Sequence, residues 1–175
     1  LIYGIHVDGQ QVSYVKMKGD TYSIDMIADW KLCTSEQISK EPMRRKIAGY
    51  ETVCMNRICP DYNLGVSVSV LEFKGCKSYK KIQKMDSLSF VDSKYYSTIT
   101  WGKPGSVKVK QSVELVCMPV RHLETGKNIY MRMKKWYVQG KENVYLIDFV
   151  SSSISGWNKW LPEMEKMILS LKEID

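Results

Sequence analysis

The last third of the chain carries the pattern that most restricts its fold. Three strand-like runs, residues 112–123, 128–138 and 143–151, are separated only by the short polar segments 124–127 and 139–142, each with one glycine. Successive strands joined by short turns pair antiparallel. This part of the sequence therefore predicts an antiparallel sheet.

An amphipathic helix is predicted directly after these strands. Its apolar stripe comprises Trp157, Trp160, Leu161, Met164, Ile168 and Leu171, which recur at helical spacing. We place Pro162 in the first turn, where a missing backbone N–H costs nothing. One side of this helix is expected to cover one face of the sheet and to close the core.

Alternating apolar and polar residues predict further strands upstream. Val66, Val68 and Val70 share one face of the run 65–73, and residues 22–26 alternate in the same way before Trp30, a candidate for a large core side chain. The remaining predicted strands are 1–7 and 11–17, joined by a turn at Asp8-Gly9, and 51–58.

Two shorter helices are also expected. Thr34 and Gln37 form a capping box for a helix that Pro42 ends, and residues 75–86 form a lysine-rich helix. The 175 residues, 44% of them hydrophobic, suit one domain spanning 1–175 of the α+β class. No apolar run is long enough to span a bilayer.

The formal net charge of +7 is compatible with an acidic partner, a nucleic acid or an anionic membrane surface. The lysines are scattered along the chain, which favours a role of this charge in solubility alone. The candidate partner surface comprises Arg44, Arg45, Lys46, Lys134 and Lys135. On a strand, Lys135 and Tyr137 face one way while Lys134 and Trp136 face the other, which argues against a single platform for stacking bases. We therefore expect a protein partner and not a nucleic acid.

The cysteines and histidines offer no catalytic or metal site. Cys54 and Cys59 are candidates for a disulfide, and reduced buried thiols are the equal alternative. Cys59 is the thiol most open to exposure, and Cys117 is interpreted as core. His6 beside Asp8 is interpreted as a surface residue near a turn. The sequence predicts no catalytic residue, cofactor or metal.

The order of elements resembles the PsbP-like superfamily. The quoted segments are TYSIDMIADW, NLGVSVSVLEF, SYKKIQKM and the closing WNKWLPEMEKMILSL. The resemblance covers nearly the whole chain. It implies an α-β-α sandwich around a twisted antiparallel sheet, with the C-terminal helix on one face.

The resemblance also implies a protein that acts by binding and not by catalysis. Members include a photosystem II accessory subunit, a Ran-binding import factor and bacterial secreted or lipid-anchored proteins. Our first hypothesis is an extracytoplasmic bacterial accessory module, tethered by an N-terminal segment outside this chain. The alternatives are an intracellular protein-binding factor, and a small-molecule-binding protein or enzyme with a pocket between sheet and helix.

Overall fold

The computed structural model describes residues 5–7, 10–32, 43–61, 64–103, 105, 108–121 and 125–174. The turn predicted at Asp8-Gly9 and the helix predicted from Thr34 lie outside these residues, and so does His122.

Strands dominate the described part of the chain. The strands are β1 (Ile5–Val7), β2 (Gln10–Val12), β3 (Tyr14–Lys18), β4 (Tyr22–Ile27), β5 (Lys31–Leu32), β6 (Met43–Ile47), β7 (Tyr50–Ile58), β8 (Val66–Phe73), β9 (Tyr96–Trp101), β10 (Val109–Cys117), β11 (Val120–Arg121), β12 (Asn128–Ile129), β13 (Arg132–Gln139), β14 (Val144–Ser151) and β15 (Lys172–Glu173). The helices are α1 (Tyr79–Val91) and α2 (Ile154–Ser170). Neither helix of the described part has the length and apolar character needed to cross a membrane.

A large antiparallel sheet forms the centre of the molecule. Its strands follow the order β5-β7-β8-β14-β13-β10-β9, and β6 pairs with β7 as well. The predicted antiparallel pairing is confirmed for β13 and β14, which pair in unbroken register from Arg132 opposite Ser151 to Gln139 opposite Val144. The first of the three predicted strand-like runs, residues 112–123, is divided between β10 and β11, and only β10 joins the large sheet.

Residue parity assigns the side chains of the large sheet to two faces. On β8, Val66, Val68 and Val70 belong to one core cluster, whereas Leu71 and Phe73 belong to the other. The first cluster lies beneath α2 and the small sheet β3-β4-β15, and the second lies beneath α1. This layering confirms the predicted α+β sandwich with a twisted antiparallel sheet.

The small sheet and α2 cover the first face together. Tyr22, Ile24 and Met26 of β4 are buried beside Trp30, which is 1% exposed and confirms its predicted core position. Asp25 N donates to Ser170 Oγ over 2.8 Å and links β4 to the end of α2. The buried α2 residues Trp157, Met164 and Ile168 confirm the predicted apolar stripe.

The start of α2 differs from the prediction. Ser153 caps the helix by accepting from Gly156 N at 3.0 Å, four residues before the predicted stripe begins. Pro162 consequently lies inside the helix and not in its first turn. Its side chain is exposed, so the ring contacts water while the missing N–H leaves the Asn158 carbonyl without its helical donor.

A carboxylate near the end of the described chain organises the loop between β13 and β14. Glu173 Oε1 accepts from Asn143 N at 3.0 Å and from Asn143 Nδ2 at 2.7 Å, and the Lys141 backbone N–H donates to the other oxygen. Burial would raise the pKa of Glu173, but these hydrogen bonds outweigh it and lower the pKa below its ordinary value.

The structure corrects the predicted bond between Cys54 and Cys59, which are not joined by a disulfide. Cys54 packs against the α1 side of the sheet, whereas Cys59 is buried on the α2 side. Residues five apart on a strand point to opposite faces, so the backbone directs the two sulfurs away from each other.

Candidate functional site

The candidate site is a cleft between α2 and the large sheet. Its floor is Trp136 on β13, which pairs with Ser112 on β10 and faces α2. Ile168 and Leu169 of α2 form one wall, and the segment after β9, beginning at Gly102, forms the other. The cavity measures about 460 Å³, which lies within the range of small-molecule sites, roughly 300–1,000 Å³.

Close packing of the backbone shapes the β9 side of this cleft. Gly102 N donates to Ser112 O over 2.9 Å, and Gln111 Nε2 donates to Gly102 O over 2.7 Å. A Cβ at Gly102 would overlap the Ser112 side chain. A larger residue at this position would require the Ser112 hydroxyl to move.

An ion-pair network closes one end of the cleft. Lys134 Nζ lies 2.9 Å from Glu165 Oε1 of α2 and 3.2 Å from Glu114 Oε1 of β10. The same ammonium lies 5.3 Å from the centroid of the Trp136 ring. Since the Lys134 side chain is only 13% exposed, these contacts fix its position and hold the Trp136 ring in place.

A second cation stands at the mouth of the cleft. Lys103 is exposed and has no ion pair with any carboxylate of the described residues. The cleft thus offers apolar walls, an aromatic floor and an available ammonium. This combination suits a small molecule with an apolar body and an anionic group.

A second polar cluster lies on the opposite face of the sheet, beneath α1. Lys135 Nζ lies 3.0 Å from Asp86 of α1 and 3.6 Å from Asp148 of β14, and the Tyr137 hydroxyl donates to Asp86 over 2.7 Å. Burial raises the pKa of Asp148 to about 6, although Lys135 opposes the shift. Burial also raises the pKa of Tyr137, and the Asp86 charge adds to the effect.

The structure separates the five residues of the predicted basic surface. Arg44 and Lys46 lie on β6, whereas Lys134 and Lys135 lie on β13. The strands β7, β8 and β14 lie between β6 and β13. At about 4.8 Å between neighbouring strands, the distance from β6 to β13 is therefore roughly 19 Å. Only the backbone of Arg45 is described, on β6 beside Arg44.

The available charges of that surface are further reduced by local pairing. Arg44 Nη1 lies 2.8 Å from Asp20 Oδ2, and its hydrogen bonds lower the pKa of that carboxyl. Lys135 is 8% exposed and is held by Asp86 and Asp148, so it cannot contact a partner in this conformation. Lys46 is exposed, and its contact with an acidic partner stays a prediction.

The other sequence candidates contribute no catalytic arrangement to the cleft. His6 lies on β1 opposite Gln11, and its side chain is outside the described atoms. Cys59 is 2% exposed, contrary to the prediction of an accessible thiol, and burial raises its pKa. Cys117 is half-buried at the end of β10, so its predicted core position is only partly correct. No group of three His, Cys, Asp or Glu side chains suited to a metal occurs within the described residues.

Two other concavities are less suited to a defined ligand. One lies beside Trp30 and Arg57 and extends to Lys31 and Leu32, where a described range of the chain ends. The other lies between Lys108 and Glu173, whose carboxylate is already engaged by the loop of the β13–β14 hairpin. The cleft over Trp136 is therefore the best-defined candidate among the described residues.

A pocket between sheet and helix was among the alternatives that the sequence left open. The sequence did not identify Glu165, Leu169 or Gly102 as neighbours of Trp136. The alternation of side chains along β13 was the one sequence feature that pointed to this site. It correctly assigned Lys134 and Lys135 to opposite faces of the sheet.

Comparison with known proteins gives distant structural similarity only. No family model matches the sequence, and no curated protein matches it. A crystal structure from Bacteroides thetaiotaomicron aligns over 88% of this chain and 45% of that protein, with 14% identity and a TM-score of 0.49. This chain thus spans less than half the length of the Bacteroides protein.

A second match is LpqN of Mycobacterium tuberculosis, described as involved in cell envelope biogenesis. It aligns over 94% of this chain and 92% of that protein, with 10% identity and a TM-score of 0.43. Neither description names a PsbP-like protein.

Proposed function

We propose that this chain is a non-enzymatic binding module whose ligand site is the cleft over Trp136. The observation that carries the proposal is a cavity of about 460 Å³ with an indole floor and a lysine at its mouth. The ligand class is a small amphipathic anion. Its apolar part would lie on Trp136 between Ile168 and Ser112, and its charge would lie near Lys103.

The ion-pair network supports a preformed site. Lys134 is held between Glu114 and Glu165, so the end wall of the cleft requires little rearrangement when a ligand enters. Preformed sites bind more tightly than flexible ones because less conformational entropy is lost on binding. A site built from fixed groups therefore suits reversible capture of a ligand.

A matched pair of fluorescent probes tests the proposal. The anionic probe is 8-anilinonaphthalene-1-sulfonate, and N-phenyl-1-naphthylamine has the same aromatic body without the sulfonate. Saturable binding of both is expected, with the anion bound several-fold more tightly. Lys103→Gln should remove the preference for the anion while leaving the affinity for the neutral probe unchanged.

Two substitutions on α2 supply the control. Leu169→Glu places a carboxylate in the cleft wall, whereas Ile154→Glu places one on the same helix outside the cleft. Both parent side chains are exposed, at 54% and 65%, so both variants should fold. Leu169→Glu should weaken anion binding about tenfold or more; equal affinities for the two variants would refute the proposed site.

The cellular location is part of the proposal, and two candidates stand. We infer an extracytoplasmic accessory protein from the resemblance of the sequence to PsbP-like proteins. The free thiols of Cys59, Cys76 and Cys117 favour the second candidate, an intracellular protein-binding factor, because cysteines in oxidising compartments are commonly paired. Fractionation of cells that express the native full-length protein distinguishes the two.

A further inference from the structure

The strand β9 forms an edge of the large sheet. Its inner side pairs with β10, from Trp101 opposite Val113 to Tyr96 opposite Cys117. No strand among the described residues pairs with its outer side. The exposed row of backbone donors and acceptors on such an edge is able to pair with another chain.

The register identifies which backbone groups point outward. Gly102 N donates to Ser112 O, so the groups of Gly102 point toward β10. Backbone direction alternates along an antiparallel strand. Trp101 and Ile99 consequently direct N–H and C=O groups away from the sheet, and these groups form no hydrogen bond with the described residues.

The side chains of β9 do not protect this edge. Natural edge strands are commonly blocked by lysine, proline or inward-pointing charges, but β9 reads Tyr-Ser-Thr-Ile-Thr-Trp and contains none of these. Tyr95, which precedes the strand, is 77% exposed and Trp101 at its end is 40% exposed, and Leu88 and Val91 in the last turn of the preceding helix α1 are 58% and 57% exposed. The edge therefore combines free backbone groups with an apolar border.

Two lysines determine the kind of chain that this edge would accept. Lys94 and Lys103 are both exposed, lie two residues before and two residues after β9, and make no ion pair with described carboxylates. Antiparallel pairing of two copies would bring Lys94 of one copy close to Lys103 of the other. Like charges across a pair of strands are destabilising, and the net charge of +7 on each copy adds to the repulsion.

We propose that β9 binds an extended acidic segment of a partner protein by strand addition. The segment would pair with the outward groups of Ile99 and Trp101, and its carboxylates would lie against Lys94 and Lys103. Main-chain hydrogen bonds would supply affinity, as in other cases of β-augmentation. The charges would supply selectivity and salt dependence. This surface shares Lys103 with the mouth of the cleft over Trp136, whereas Lys94 and the outward backbone groups of Ile99 and Trp101 belong to it alone.

Defined peptides test the proposal directly. The first peptide alternates Thr and Val, spans the length of β9 and has Glu at both ends. The second has Lys at both ends, and the third is the acidic peptide with a central Pro. The acidic peptide should bind about tenfold more tightly than the basic one, and less tightly as salt increases. Its binding should slow amide hydrogen exchange at Ile99 and Trp101, whereas the proline peptide should not.

Charge-matched variants complete the test. Lys94→Glu/Lys103→Glu should weaken binding of the acidic peptide about tenfold or more, whereas Lys18→Glu/Lys31→Glu makes the same charge change at exposed positions on other strands and should have little effect. Leu169→Glu should leave peptide binding unchanged, which separates this proposal from the cleft. Equal affinity for acidic and basic peptides, or a dimer in sedimentation equilibrium that protects the same amides, would overturn it.

Discussion

Lys135 Nζ lies 3.0 Å from both carboxylate oxygens of Asp86, and this ion pair joins β13 to α1 across the buried face of the helix. The Lys135 side chain is 10% exposed and the Asp86 side chain 14%. Asp148, 3.6 Å away on β14, shares the same ammonium. One ammonium group therefore balances the charges of two carboxylates. The stability of the folded state should depend on Lys135 more than on an ordinary surface lysine.

Lys135→Met tests this dependence. Removal of the ammonium leaves Asp86 and Asp148 close together without a cation, and breaking a buried pair in this way costs about 3–5 kcal/mol. We expect a decrease of that size in the free energy of unfolding, measured by urea denaturation at neutral pH. The exposed Lys46→Met should change the same quantity by less than about 0.5 kcal/mol. Similar values for the two variants would contradict this account.

Asp148 should make stability decrease as pH rises. Its folded pKa of about 6 is above its ordinary value of 3.8, so the folded state binds the proton more tightly. The stabilisation is complete below the ordinary value and is lost as pH rises through about 6. Asp148→Asn should raise the free energy of unfolding by about 2–3 kcal/mol near pH 8, since one pKa unit corresponds to about 1.4 kcal/mol.

The increase in the free energy of unfolding caused by Asp148→Asn should disappear at about pH 4, where Asp148 is already protonated in the folded protein. Asp86 and Lys135 face Asp148, and their pairing is retained in this variant. Urea denaturation across this pH range, with the exposed Asp92→Asn as the control, measures the effect. A gain that is independent of pH would show that the carboxyl group of Asp148 does not titrate in this range.

Pro162→Ala should stabilise the protein. The alanine N–H is able to donate to the Asn158 carbonyl, and the exposed proline ring makes no core contact that would be lost. An interior proline costs a helix about 3 kcal/mol, partly offset by the restriction that it places on the unfolded chain. We expect a net gain of about 1–3 kcal/mol in urea denaturation. Leu169→Ala, at an exposed site of the same helix, should change the free energy of unfolding by less than about 0.5 kcal/mol. A decrease in the free energy of unfolding of Pro162→Ala would contradict this expectation.

The features that sequence predicted well depend on local periodicity. Strand parity placed Lys135 with Tyr137 and Lys134 with Trp136, because neighbouring side chains on a strand alternate whatever the fold. The helix stripe from Trp157 was predicted for the same reason. The true start of α2 at Ile154 was missed because a cap at Ser153 precedes an exposed first turn.

The features that sequence did not predict depend on strand order and on distant contacts. Asp86 is separated from Lys135 by 49 residues, and no local pattern indicates that α1 crosses β13. The basic residues 44–46 and 134–135 were predicted to form one surface, but three strands of the large sheet lie between them. The cleft required α2 to be positioned over β13, which is likewise a property of the complete fold.

The position of Glu173 has a consequence for the order in which the protein is made. The loop between β13 and β14 is synthesised about thirty residues before the carboxylate that accepts its backbone N–H groups. A ribosome-bound chain that has completed this hairpin and α2 therefore still lacks the group that fixes the turn. The turn of the hairpin therefore gains its full set of hydrogen bonds only in a chain that includes β15 and has paired it with β4.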